Sequence, residues 1–298
     1  MGLPIDPRDL LRSAKRLSED RDAALTFEVL VEGDAPDALL DALQAALVPR
    51  TAKARVAVAA LGDAKPAAPA PDALVLVLGS GAAAAVSAAD DARRRGVPVA
   101  VVALREDAEA LAASLGEPIE DVIACDSADR AVELLARWFV DRVPEKRLAV
   151  AHNFTFVRRA VAGTFVRATA WQNGAIGAVA IIPGADLPLM TANQAKMLLQ
   201  IAAAYGQPLS AERVRELAVV VGGGFTLRAV ARQFVGLVPG FGWAVKGGIG
   251  YAGTVAMGEA AIAYFEQGAD LRAVTRRVLK VRAKAIGDGI SDDGPSAG

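Results

Sequence analysis

The sequence predicts an α/β domain with a five-stranded, mainly parallel sheet, followed by an all-α domain that contains a glycine-rich apolar helical hairpin. Three observations predict this order. Strand-like apolar runs alternate with helical patterns as far as Pro144, helical patterns alone follow, and the charge changes sign at the same point. Residues 1–145 hold 16 Lys and Arg against 25 Asp and Glu, whereas residues 146–298 hold 17 against 9. We therefore expect domains at 1–145 and 146–286 and a disordered tail at 287–298.

The elements of the first domain are predicted from its periodicity. Near-continuous apolar runs separated by helices are typical of a parallel sheet that is covered on both faces. The strand-like runs are Leu25–Val31, Val56–Leu61, Ala73–Leu78, Pro98–Leu104 and Glu120–Cys125. The helical patterns are Asp37–Leu47, Ala82–Arg95, Asp107–Leu115 and Ser127–Val143. Asp126 or Ser127 is a suitable N-cap for the last helix, and the proline-rich stretch Lys65–Pro71 is predicted to be a loop.

Two glycine loops follow strands, at the edge where such sheets bind ligands. Gly33 stands where a phosphate-binding P-loop would lie, but its loop has no lysine, serine or threonine and carries Asp34 and Asp37. Gly79 and Gly81 match the loose Rossmann-like pattern G-x-G-x-x-A, which arises easily by chance in an alanine-rich chain. We interpret both loops as strand-to-helix turns. The alternative is a soluble nucleotide or dinucleotide binder that uses Gly33 or Gly79 and Gly81.

The second domain is predicted to be helical throughout. We expect helices over Glu145–Asn173 and Ala192–Tyr205, the latter with Thr191 as N-cap and Gly206 as C-cap. The apolar stretch Gly174–Ile182 separates them. The last predicted helix, Asp270–Ile286, is basic and amphipathic, which suits an anionic lipid surface or a partner groove.

The segment Leu217–Phe265 is the predicted hairpin, because Pro239-Gly240 divides it into two apolar arms. It holds four charged residues and 11 of the 28 glycines. The small-residue face favours close helix packing, either in a membrane or in a soluble bundle, and both alternatives stay open. That face consists of Gly247, Gly250, Gly253, Thr254 and Gly258. The cations expected to contact anionic lipid or a partner are Arg228, Arg232, Lys246, Arg276, Arg277 and Lys280.

Few side chains of this sequence suit catalysis or metal binding. The chain has one cysteine, Cys125, and one histidine, His152, so it has no Cys/His set for a structural zinc. We interpret both as packing residues and expect no catalytic residue, metal or cofactor. No aromatic stacking platform or reader motif for nucleic acid is evident, so we expect no nucleic-acid partner. No secretory signal begins the chain, which favours the cytoplasm or the cytoplasmic face of the inner membrane.

A set of residues occurs in a fixed order over about 120 positions of the second domain. These residues are Pro183, Asp186, Gln194, Tyr205, Gly206, Pro239, Gly240, Gly242, Thr254 and Gly258. On these residues, positions 148–268 resemble the helical domain of the YcjF-type bacterial inner-membrane proteins, a domain also found behind Era-like GTPases. The resemblance implies a membrane-linked helical module without an established biochemical activity.

The same resemblance implies that the first domain is a GTPase-like domain without nucleotide motifs. The P-loop lysine and serine, the Asp-x-x-Gly motif and Asn-Lys-x-Asp are all absent from the sequence. Phosphoryl transfer depends on these groups, so we expect no GTPase activity. We therefore expect a non-enzymatic, membrane-associated protein whose pseudo-GTPase domain is an interaction scaffold. Its expected partners are anionic membrane lipids and another protein or a second copy of the chain.

Overall fold

The computed structural model describes residues 7–62, 69–79, 83–109, 122–179, 187–207, 209 and 242–267. Its strands are β1 (Leu25–Val31), β2 (Ala54–Ala60), β3 (Ala73–Val77), β4 (Val99–Leu104) and β5 (Val122–Cys125). They form one sheet in the order β2-β1-β3-β4-β5, and every neighbouring pair is parallel. Helices make up the described residues that follow, so the predicted fold class is confirmed.

The two faces of the sheet are covered by different helices. Helices α2 (Asp37–Ala46) and α4 (Ala128–Arg142) share one apolar cluster with the sheet, and α3 (Ala83–Arg94) shares the cluster on the opposite face. Every side chain of β3 is buried, as the continuous apolar run predicts for a central strand. Ser127 is the N-cap of α4, because its Oγ accepts a hydrogen bond from the Arg130 N–H at 3.3 Å. Only the ends of the predicted loop Lys65–Pro71 and helix Asp107–Leu115 lie within the described residues.

A first helix, α1 (Pro7–Arg21), precedes the sheet and was not expected from the sequence. It buries Ala14 and Leu17. It packs against two helices of the second half, α5 (Arg147–Asn153) and α7 (Leu187–Ala204). Helix α1 therefore packs with the helical region.

The single helix expected over Glu145–Asn173 is wrong. Short 3-10 turns at 144–146 and 155–157 flank α5, and the next long helix is α6 (Arg158–Val179). Between them Phe154 is extended, with φ −120° and ψ 111°, and its fully buried ring stacks on Phe27 at 5.3 Å. We attribute the break to this packing, which outweighs the helical pattern. Helix α6 also takes in most of the apolar stretch predicted to separate the helices.

The start of α7 was also predicted wrongly, because α7 begins at Leu187. Thr191 is inside the helix, and its hydroxyl donates to the Leu187 carbonyl at 2.7 Å. The predicted C-cap is confirmed, since Gly206 has a φ of +71°, a conformation that glycine adopts readily. Helix α8 (Gly242–Glu266) is the second arm of the predicted hairpin. The first arm, the helix Asp270–Ile286 and the tail 287–298 lie outside the described residues.

One apolar core extends from the sheet into the helices. Phe27 of β1 stacks on Phe139 of α4 at 4.6 Å, and the same cluster reaches Met257 and Ile262 of α8. The core therefore joins one face of the sheet to the contact between α6 and α8.

Candidate functional site

The most favourable ligand position in this fold is the carboxyl end of β1 and β3. These strands are neighbours, but α2 follows β1 on one face and α3 follows β3 on the other. In doubly wound sheets with this strand order, the crevice between two such strands binds the ligand. The two glycine loops of the sequence analysis therefore meet at one place.

The carboxylates of the first loop occupy this crevice. The Gly79 N–H donates to Oε2 of Glu32 at 2.9 Å. A Cβ on Gly79 would lie 2.3 Å from Oδ1 of Asp34, so only glycine permits this close approach. An amide that could hold a phosphate thus already has a carboxylate partner, and a bound phosphate would be repelled by Glu32 and Asp34.

The other predicted nucleotide-binding residues add no ligand group. Gly33 is exposed, and a Cβ there would meet nothing within 4 Å. Gly81 lies outside the described residues. Within the described part of the chain, no group of three or more His, Cys, Asp and Glu residues could hold a metal ion.

The carboxyl ends of β4 and β5 are joined by an ion pair. Arg105 donates from Nε to Oδ1 of Asp126 at 2.5 Å and from Nη2 to Oδ2 at 2.9 Å. These hydrogen bonds hold the pKa of Asp126 below its usual value. The neighbouring Cys125 is fully buried, and its thiol donates to the Ala103 carbonyl at 3.1 Å. Because burial raises the pKa of this thiol, Cys125 is unsuited to be a nucleophile.

In the helical region, glycines bring α6 and α8 together. A Cβ on Gly250 would lie 2.8 Å from the Asn173 carbonyl oxygen, and one on Gly258 would lie 2.3 Å from Val166. A Cβ on Gly247 would lie 3.0 Å from the Gly174 carbonyl oxygen. The small-residue face of the predicted hairpin therefore packs on α6. That face can be read from the sequence, but its partner helix cannot.

A polar network crosses this contact and joins three helices. Asn173 of α6 is fully buried; its Nδ2 donates to Thr254 Oγ1 at 3.0 Å, and its Oδ1 accepts from Asn193 at 3.0 Å. Gln194 donates to the same Thr254 oxygen at 3.2 Å. The structure thus brings together two residues of the resemblance, Gln194 and Thr254, with Asn173 and Asn193, which sequence reasoning missed.

The opposite end of the bundle carries a second polar group. The Tyr205 hydroxyl donates to Glu266 Oε1 at 3.0 Å, and Arg159 binds Glu266 and Glu259 at 2.7 and 3.3 Å. Burial and the nearby Glu266 raise the pKa of Tyr205, so its hydroxyl stays protonated. The contacts of Tyr205 and Glu266 pin α7 to α8.

Gly206 follows Tyr205 and lies against His152. A Cβ on Gly206 would lie 3.0 Å from the His152 Nδ1, a tight contact, and the φ of +71° also favours glycine at this position. Burial and the charge of Arg21 lower the pKa of His152, which keeps the imidazole neutral near pH 7. The predicted packing role of His152 agrees with this position.

Four large apolar side chains are exposed on α6 and α7: three lie where α6 ends and α7 begins, and Trp171 lies about 12 Å before the end of α6. We name Trp171, Val179, Leu187 and Leu189 the apolar tip; they are between 46 and 76% exposed. The Trp171 ring contacts Tyr251 edge-on at 5.2 Å between ring centres. Two exposed cations follow on the same helix faces, Arg167 one turn from Trp171 and Lys196 two turns from Leu189.

The remaining predicted residues divide between this end of the bundle and the undescribed segments. Gly242 and Lys246 lie in the first turns of α8, whose amino-terminal half packs beside Gly174 and Ala178 of α6. The predicted residues outside the described part are Gly81, Pro183, Asp186, Arg228, Arg232, Pro239, Gly240, Arg276, Arg277 and Lys280.

No family model and no curated protein matches the sequence. The resemblance to the YcjF-type proteins therefore stays a prediction. Among the residues that the structure describes, no helix has the length and apolarity needed to cross a membrane.

Proposed function

We propose that the protein is a non-enzymatic, membrane-associated scaffold. The apolar tip attaches the helical region to an anionic bilayer surface, and the α/β region provides a surface for protein interactions. The observation that carries the proposal is the apolar tip, because two consecutive helices of one bundle expose four large apolar side chains, three of them where α6 ends and α7 begins.

The chemistry of the tip supports shallow insertion. Burying one such side chain is worth about 1.5–3 kcal/mol, so two or three of them are enough for reversible binding. Tryptophan favours the boundary between the acyl chains and the headgroups, which suits Trp171. Arg167 and Lys196 would face the headgroups, and each basic residue near an anionic surface adds about 1 kcal/mol. The excess of basic residues over 146–298 acts in the same direction.

The α/β region supports a role without catalysis. Its ligand crevice holds Glu32 and Asp34 against Gly79, where a nucleotide enzyme needs amides and cations around phosphate. We propose that this sheet retains the architecture of a nucleotide-binding domain and uses its surface to bind protein.

We expect the full-length protein to float with vesicles that contain phosphatidylglycerol, and to bind phosphatidylcholine vesicles less. The double variant Val179→Glu/Leu189→Glu should weaken binding at least about tenfold, because it removes two apolar side chains and adds negative charge. Ala45→Glu is the matched control: Ala45 is exposed on α2, so its variant adds charge away from the tip and should bind as the wild type does. A wild-type protein that stays with the unbound fraction, or a double variant that floats normally, would contradict the proposal.

The nucleotide-binding alternative makes an opposite prediction. We expect GTP, GDP, ATP, NAD and NADP, each with Mg²⁺ at ~1 mM, to shift the thermal midpoint by less than about 1 °C, because the crevice is already occupied by carboxylates. Gly33→Val tests any shift that does occur, since its side chain projects into open space and should leave the fold intact. A stabilisation of several degrees that is lost in this variant would support nucleotide binding instead.

A further inference from the structure

The part of the chain that the structure describes places no strand on the outer edge of β2. Among the described residues it pairs with β1 alone, and it forms one edge of the sheet. Beside it, an apolar groove of about 800 Å³ runs between α2 and the strand. Val58 on this groove is 67% exposed, and Val48 is 61% exposed.

The hydrogen bonds of β2 show which of its backbone groups are directed outward. The Leu61 N–H donates to Val31 at 2.8 Å, and the Lys53 carbonyl accepts from Leu25 at 3.0 Å. The backbone N–H and C=O groups of successive strand residues are directed to opposite edges of the strand. Those of odd-numbered residues are therefore directed toward β1, and those of even-numbered residues are directed away from the sheet. Val56, Val58 and Ala60 therefore direct both their N–H and C=O groups away from the sheet. Ala54 directs only its C=O outward, because its N–H donates to the Thr51 carbonyl at 3.3 Å.

The edge lacks the usual protection against pairing with another strand. Ala54–Ala60 contains no proline and no acidic residue. Its one charged side chain, Arg55, projects from the face opposite the groove, because Val56 and Val58 line the groove. Proteins normally blunt such an edge with prolines, bulges or inward charges.

We infer that β2 pairs antiparallel with β2 of a second copy of this chain, on a two-fold axis at Ala57. The strand Ala54-Arg-Val-Ala-Val-Ala-Ala60 reads the same in both directions about Ala57, except that Arg55 stands opposite Ala59. On this axis Val56 of one copy lies opposite Val58 of the other, and both are outward-facing residues. The pair forms about six main-chain hydrogen bonds. It also brings Val56 and Val58 of both copies together on the groove side of the joined sheet.

The charges at the two ends of the strand suit the same axis. Lys53 and Arg55 are exposed at the amino end of β2, whereas Asp37 is exposed at the start of α2, after the loop that follows the carboxyl end of β1. An antiparallel pair places the basic end of each copy next to the acidic end of the other. This pairing rests on the scaffold role proposed above and names the scaffold's partner as a second copy of the chain.

A disulfide between the same position of two copies tests, in the full-length protein, whether the two-fold axis passes through Ala57. Ala57 and its copy would form a non-hydrogen-bonded pair with Cα atoms about 4.5 Å apart, which a disulfide can bridge. Ala57→Cys should give mostly covalent dimer under mild oxidation. Ala59→Cys is the matched control on the same exposed face, and its two copies would be about 13 Å apart, so we expect about tenfold less dimer. The natural Cys125 is fully buried and should not interfere.

Val58→Pro tests the pairing without a cross-link. Its missing N–H faces outward and contributes no bond to β1, so the variant should fold, as circular dichroism can verify. Sedimentation velocity should show a concentration-dependent dimer for the wild type and a monomer for the variant. Equal cross-linking at positions 57 and 59, or a wild type that is monomeric at all concentrations, would overturn the inference. A wild-type protein that is monomeric but still floats with vesicles would overturn the strand pairing and leave the proposed membrane attachment intact.

Discussion

Replacing Gly250 by alanine should lower the free energy of unfolding by about 2 kcal/mol, whereas the same replacement at Gly248 should raise it by about 0.5–1 kcal/mol. Both glycines lie in α8, two residues apart. A Cβ on Gly250 would lie 2.8 Å from the Asn173 carbonyl oxygen and 2.8 Å from the Met190 methyl group. The first of these is backbone of a packed helix, so α6 and α8 must separate to admit the methyl group.

Gly248 is the matched control because it faces open space. A Cβ there would meet nothing within 4 Å, and the residue is exposed. Alanine is favoured over glycine inside a helix by up to about 1 kcal/mol, and nothing opposes that gain at this position. Because the two replacements should change the free energy of unfolding in opposite directions, they distinguish the effect of helix propensity from that of packing.

Urea unfolding followed by circular dichroism measures both variants under the same conditions. If both variants are stabilised, the close approach of α6 and α8 is wrong. If both are destabilised, Gly248 has a packing partner that the described residues do not include. The two variants therefore test whether the glycine-rich face of α8 packs directly on α6.

The strands and the buried helix faces could be predicted from the sequence because their signals are local. The continuous apolar runs of β3 and β4 and the Ser127 cap depend on residues close together in the chain. Helix α1 had a usable signal as well, since Leu10, Ala14 and Leu17 recur with helical spacing among its charges. The break at Phe154 had no such signal: neither proline nor glycine marks it, and its cause is the ring of Phe27, 127 residues earlier.

In the candidate sites, too, only features with a local sequence signal could be predicted. Sequence reasoning placed both glycine loops at the ends of strands, but their contact depends on β1 lying beside β3. Strand order is a long-range property, so the sequence left two separate loops where the structure has one crevice. Thr254 belongs to the small-residue face that the sequence predicts, and it is also one of the residues of the resemblance. Its partner Asn173, 81 residues away, could only be identified from the packed helices.

Replacing Asn173 by leucine should lower the free energy of unfolding by about 2–4 kcal/mol, because the change removes a fully buried side chain with partners on two other helices. The apolar side chain would leave the Asn193 amide without its bond to Asn173 Oδ1. The matched control is Gln172→Leu, a neighbouring exposed position on the same helix, where we expect a change within about 0.5 kcal/mol.

Thr254→Val completes a double-mutant cycle with Asn173→Leu. Valine has nearly the shape of threonine but removes the hydroxyl that accepts from Asn173 and Gln194. Once both ends of the Asn173–Thr254 bond are apolar, neither leaves the other unpaired, so the double variant should be less destabilised than the two single variants together by about 1–2 kcal/mol. Additivity within about 0.5 kcal/mol would mean that the two residues act independently. A coupling of this size would show that the Asn173–Thr254 hydrogen bond itself stabilises the contact between α6 and α8, in addition to the close packing at Gly250 and Gly258.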